Sequence, residues 1–139
     1  MAEKLLGAHY RRTGWVVYGQ RRGREIGVPT ANVQVQRVSA PLNGVFVVQV
    51  YIDERRLQGV ANVGIRPTIG DLIEPILEVH LIDFNEDIYG RRIHVEFKSK
   101  IRDEKIFPSL NLMVKEIHRD IHHAKQYFSI QPKKILKND

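Results

Sequence analysis

Residues 77 to 97, LEVHLIDFNEDIYGRRIHVEF, alternate between apolar and polar twice over. Leu77, Val79 and Leu81 take every second position, the polar run from Asn85 to Gly90 interrupts, and Ile93, Val95 and Phe97 resume the same period. Successive side chains of an extended strand point to opposite faces, so the pattern describes two strands that each turn one face to a core. The segment between them leaves no room for a crossover helix, which excludes a βαβ unit here.

Outward from this stretch the same period recurs. Phe46, Val48, Val50 and Ile52 line one face of another strand, and Asp53-Glu54-Arg55-Arg56 and the run from Gly64 to Glu74 read as further connections. Short strands at this spacing favour an all-β barrel or sandwich. After Pro108 the period changes: Leu110, Met113, Val114, Ile117, Ile121, Ala124 and Phe128 recur at three and four, with Ser109 placed to cap the start. This predicts one amphipathic helix lying on the barrel as a lid. Residues 131 to 139, QPKKILKND, are polar and are expected to form a flexible tail, and residues 1 to 13 a linker or tail, leaving 14 to 130 as the domain.

Composition bounds the function without choosing it. A chain of 139 residues is one domain by length, able to bury roughly two-thirds of its unfolded surface. Apolar residues at 42% and charged residues at 27% match ordinary soluble domains. The absence of cysteine removes disulfides, thiolate chemistry and Cys-based zinc sites. Apolar runs such as Val45 to Val48 fall far below the ~18 residues of a membrane span, and the opening MAEKLLGAHYRR does not read as a secretory signal, so a cytoplasmic protein is expected. A formal charge of +6 suits nucleic acid, anionic lipid or a nucleotide triphosphate. The basic residues are scattered as doublets, among them Arg21-Arg22 and Arg91-Arg92, as on solvated faces.

The stretch richest in chemistry is Gly14 to Asn32, GWVVYGQRRGREIGVPTAN. Its glycines would let backbone N–H groups approach phosphates closely. It is neither a P-loop nor a dinucleotide fingerprint, and by its residues alone it is a turn-rich cationic loop. On the helix, His118 and His122 have the i, i+4 spacing of helical metal sites, but no third ligand accompanies them.

The spacing G-x-V-x-x-G-x-x-x-G-R-x-x-G-x-P-T-A-N resembles the signature of the riboflavin kinase (flavokinase) family. GVANVGIRPT (59 to 68), LEVHLIDFNEDIYGRRI (77 to 93) and IRDEKIFPSL (from Ile101) resemble three further blocks of that family in order. The resemblance implies a mainly β fold, a six-stranded antiparallel Greek-key barrel with a C-terminal α-helix packed against it. It implies the ATP- and Mg²⁺-dependent phosphorylation of riboflavin to FMN.

By the same resemblance Thr30 and Asn32 would hold Mg²⁺ and nucleotide phosphate. Gly19, Gly23 and Arg24 would form a flap over the phosphates, and Leu81 and Tyr89 would line the adenine or ribose pocket. The last two also fit the strand and turn pattern as core residues. Glu78 interrupts the apolar alternation on the opposite face, beside His80, and matches the family's catalytic glutamate. Arg102, Lys105 and Phe107 match the block that meets the flavin, although Phe107 equally suits an apolar anchor for the helix start.

Bacterial members are commonly the second half of a protein whose first half adenylylates FMN. The opening of this chain resembles the linker that follows that half, so a domain once joined to an adenylyltransferase is expected, without adenylyl transfer of its own. Val28 and Ile26 stand where members often carry Phe and Leu, a change of packing volume. A monomer is expected, since no heptad seam or long exposed apolar strand is evident. Two other readings remain, a nucleic-acid-binding barrel and a flavin-binding sensor without catalysis. The joint presence of Thr30, Asn32 and Glu78 favours the kinase.

Overall fold

The computed structural model describes residues 11–17, 30–35, 43–67 and 73–138, the side chains of 35, 65–67, 73–75 and 131–138 excepted. Six strands, β1 (Arg11–Val17), β2 (Ala31–Val35), β3 (Gly44–Ile52), β4 (Arg55–Pro67), β5 (Ile73–Leu81) and β6 (Arg92–Arg102), precede one helix, α1 (Leu110–Asn138). The strands close into a barrel in the order β1-β2-β5-β4-β3-β6. Every neighbouring pair is antiparallel. β3, β4 and β5 follow one another as a meander and β6 returns to lie beside β3, which is a Greek key. Pairing of β6 with β1 leaves no open edge.

The alternation in the sequence is the division between the barrel's inside and outside. Val16, Val33, Phe46, Val48, Val50, Ile52, Ala61, Leu77, Val79, Leu81, Ile93, Val95 and Phe97 all belong to one interior cluster. Phe46 and Phe97 meet edge to face with centroids 5.3 Å apart, the preferred offset of two ring quadrupoles. Valine dominates because a branched side chain on a pleated, buried surface loses little further χ1 freedom.

β3 is apolar on both faces because its outer face is covered too. Val45, Val47, Val60 and Ile82 pack beneath Ala124 and Phe128 of α1, with Ile121 and Tyr127 at the margin. The Leu112 N–H donates to Ser109 Oγ at 3.3 Å, so Ser109 caps the helix as its position suggests.

Three boundaries differ from the sequence reading. β4 runs on to Pro67 and β5 starts at Ile73, so the connection expected from Gly64 to Glu74 contracts to residues 68–72. Gly64 and Pro67 weaken local strand preference, but the ladder Gly64↔Ile76 to Pro67↔Ile73 carries the pairing through them. β1 starts at Arg11, ahead of residue 14, because it has β6 to pair with from Arg11↔Glu96 onward. The helix continues past residue 130 to Asn138, through the segment read as a tail. Lysine, leucine and isoleucine are compatible with a helix, so the segment carries no strong stop signal after Pro132.

Candidate functional site on the outer barrel face

Ladder register places the polar residues that interrupt the alternation in one row. Asn32 on β2 stands opposite Glu78 on β5. Glu78 stands opposite Asn62 on β4, Asn62 opposite Val45 on β3, and Val45 opposite Arg102 on β6. The neighbours of each along its strand, such as Val33, Leu77, Val79 and Ala61, belong to the interior cluster, so the row lies outside. Adjacent strands are ~4.8 Å apart, so opposed side chains on this row are within reach of one another and of a common ligand.

Asn32, Glu78 and Asn62 are each half-buried. Thr30 precedes Asn32 by two residues, also half-buried and of the same parity. The Oδ1 atom of Asn62 is closed off from solvent and has no hydrogen-bond partner among the described residues. Native proteins rarely leave a buried acceptor unmatched, and such an atom calls for an explanation.

At the other end of the row, Arg102 clamps the helix. Its Nε and Nη2 donate to the two carboxylate oxygens of Asp120 at 3.0 and 2.8 Å. Glu116 lies 3.7 Å from Nε, and the guanidinium stands 5.6 Å from the centroid of Phe107. Burial pushes the Asp120 carboxyl up, against the opposing pull of Arg102. Of the residues matched to the flavin block, Arg102 and Phe107 are thus brought together, while Lys105 stands exposed beside them.

Two other matched residues lie apart from this row. Leu81, read both as a nucleotide-pocket residue and as a core residue, lies in the interior cluster, since it shares the parity of Leu77 and Val79 rather than of Glu78. Tyr89 is half-exposed in the β5–β6 connection, where the Gly90 N–H donates to the Val16 carbonyl at 2.8 Å and ties that loop to β1. Gly19, Gly23 and Arg24 lie outside the described residues. Among the described residues no group of three or more His, Cys, Asp or Glu is placed to hold a metal.

A second charged cluster stands apart from this row. Glu96, buried on the outer face of β6, accepts from Arg11 of β1 at 3.1 Å and from the Tyr51 hydroxyl of β3 at 3.2 Å, with Lys98 at 3.1 Å. Burial pushes its carboxyl up, but Lys98, Tyr51 and Arg11 together outweigh it and hold the group below the ordinary carboxylate range. The Tyr51 hydroxyl is pushed up by its own burial and by Glu96. These residues stitch the seam at which the barrel closes.

The family model described as flavokinase, riboflavin kinase, matches residues 6–128. The chain belongs to the riboflavin kinase family. It is 45% identical over 130 residues to a bifunctional riboflavin kinase/FMN adenylyltransferase of Haemophilus influenzae, covering 93% of this chain and 42% of that one. The chain thus spans about two-fifths of the length of such relatives. Riboflavin kinase of Trypanosoma brucei, at 20% identity, superposes with a TM-score of 0.61 over 88% of this chain and 81% of its own, which shows the shared barrel. A Streptococcus pneumoniae crystal structure named as a macrolide-efflux protein superposes with a TM-score of 0.80 at 40% identity, over 89% of this chain and 41% of that one. No helix among the described residues is long and apolar enough to cross a membrane.

Asn62 is the residue that reading the sequence passed over. Its signal was present in GVANVGIRPT, where a lone amide interrupts an apolar strand at the parity of the outer face, but its importance comes from standing opposite Glu78.

Proposed function

We propose that this domain transfers the γ-phosphoryl group of ATP to the 5′-hydroxyl of riboflavin, giving FMN and ADP, with Glu78 as general base. The observation that carries this reading is the opposition of Asn32 and Glu78 on the outer face of adjacent strands in a chain of the riboflavin kinase family. A neutral hydroxyl is a poor nucleophile at physiological pH, and a positioned carboxylate that takes its proton contributes about 10² to 10⁴ in rate. The ribityl 5′-oxygen bonds to the γ-phosphorus, its proton passes to the Glu78 carboxylate, and the bond from the γ-phosphorus to the β–γ bridging oxygen breaks as ADP leaves.

The donor set fits Mg²⁺ rather than a metal held by protein alone. Thr30 and Asn32 offer a hydroxyl and an amide oxygen, and the described residues hold no cage of carboxylates or imidazoles. Mg²⁺ typically takes one or two protein oxygens and completes its octahedron with phosphate oxygens and water. When bound, the ion would neutralise charge on the phosphates. The chain's own part is alignment: β2 and β5 are fixed to each other by backbone pairing, so phosphate side and base keep a set spacing without loop ordering.

A cytoplasmic monomer is consistent with this role. The test is chromatographic: riboflavin with ATP and Mg²⁺ yields FMN with the unaltered protein, and none if the reading is wrong. Tight FMN binding without turnover would favour a flavin-binding sensor, and salt-sensitive oligonucleotide binding without turnover a nucleic-acid barrel.

A further inference from the structure

We infer that Asn62 is a specificity residue whose amide oxygen accepts a hydrogen bond from the ribityl 4′-hydroxyl of the flavin substrate. The inference rests on the kinase reading above and deepens it.

Its starting point is the solitary Oδ1 of Asn62, buried without a donor. Leaving such an acceptor unpaired costs about 1–3 kcal/mol, which a bound donor would return. The row says where that donor comes from. Asn32, assigned to the phosphate side, and Asn62 flank Glu78 from opposite neighbouring strands. If Glu78 takes the 5′-hydroxyl proton, a group one strand farther from the phosphates meets the next part of the acceptor molecule. In a ribityl chain that part is the adjacent carbon, which carries a hydroxyl.

The chemistry on this side of Glu78 suits a polyol. The carboxylate of Glu104, in the β6–α1 connection, lies directly against Gly64, two residues from Asn62 on the same face of β4. A Cβ at position 64 would meet only this carboxylate, which could swing aside. Glu78, Asn62 Oδ1 and Glu104 therefore present acceptors along one strip, and a chain of hydroxyls supplies donors. The Glu104 carboxylate is the far end of a flexible side chain, so it can turn aside and let a hydroxyl of the substrate approach the Asn62 Oδ1 atom.

The experiment is steady-state FMN formation by the unaltered protein and by Asn62→Ala, with riboflavin and with 4′-deoxyriboflavin. The expected result is a roughly tenfold rise in the riboflavin KM of the variant, with kcat and the KM for ATP within about twofold, since a binding contact is worth this much. On 4′-deoxyriboflavin the two proteins should be alike, because the donor is gone. The melting temperature should not fall, since an unpaired buried atom is being removed. Equal losses on both flavins, no loss on either, or a shift in Mg²⁺ requirement with the riboflavin KM unchanged would each overturn the inference. Should Asn62→Ala fail to fold, Asn62→Ser serves as the second variant, and the unaltered protein must in any case discriminate against 4′-deoxyriboflavin. Absence of FMN from the unaltered protein would instead defeat the kinase reading itself.

Discussion

Arg102 at the end of β6 holds Asp120 of α1 through two charge-assisted hydrogen bonds of 3.0 and 2.8 Å, and so joins the barrel to its helix beside the row that bears Glu78. Both groups are largely removed from solvent, and neither would be tolerated there alone. Asp120→Ala leaves the guanidinium without its main partner and is expected to lower unfolding free energy by about 3 kcal/mol, the low end of what breaking a buried pair costs. Urea denaturation measures this. The double substitution Arg102→Met with Asp120→Leu should recover most of the loss, because apolar side chains of similar volume can replace a buried pair.

Glu78→Gln keeps size and polarity but cannot accept the proton as a carboxylate does. FMN formation is expected to fall by about 10² to 10⁴, with melting temperature and ATP binding nearly unchanged. A loss of less than threefold would remove Glu78 from the role of base.

Asn32→Ala takes away an amide oxygen on the phosphate side. The Mg²⁺ and ATP concentrations needed for half-maximal rate should rise by about tenfold or more, while the riboflavin KM moves little. The two titrations separate it from Asn62→Ala, whose effect is expected on the flavin.

Glu96 makes stability depend on pH in one direction. Its carboxyl in the folded protein lies below the ordinary range, so the folded state favours the ionised form. The stabilisation is complete above the unfolded value of about 4.3 and is lost as pH falls through the lower folded value. The advantage of the unaltered protein over Glu96→Gln in urea denaturation should therefore be steady near neutrality and shrink as pH drops below about 4. An advantage that grew on acidification would contradict the assigned network.

Two glycines test whether close approach is rigid or yielding. A Cβ at Gly14 would collide with the carbonyl oxygen of Gln34 in the paired strand, whereas one at Gly64 would meet only the Glu104 side chain. Gly14→Ala should cost about 1–3 kcal/mol, since the ladder itself must shift, and Gly64→Ala well under 1 kcal/mol, since a carboxylate can swing away. Gly64→Ala should nonetheless alter the flavin KM, measured by steady-state FMN formation, since it displaces the Glu104 carboxylate from the strip proposed to meet the ribityl chain.

The residues that face the barrel interior were legible in the chain. Alternation at 46–52, 77–81 and 93–97 named the interior side chains, and the change of period after Pro108 named the helix with its Ser109 cap, because periodicity and capping are local properties of backbone geometry. Glu78 also stood out locally, as a polar position interrupting the alternation of Leu77, Val79 and Leu81, whereas Asn32 was named by the resemblance of its P-T-A-N stretch. The passage of β4 through Gly64 and Pro67, the extension of α1 to Asn138 and the commitment of Arg102 to Asp120 did not stand out. The first and the last depend on a partner distant in the chain: β5 at residues 73–76 and a carboxylate on the helix. The same holds for the row Asn32, Glu78, Asn62. Local chemistry sets which face each residue takes, but strand register, fixed by backbone hydrogen bonds between segments tens of residues apart, sets which of them stand together.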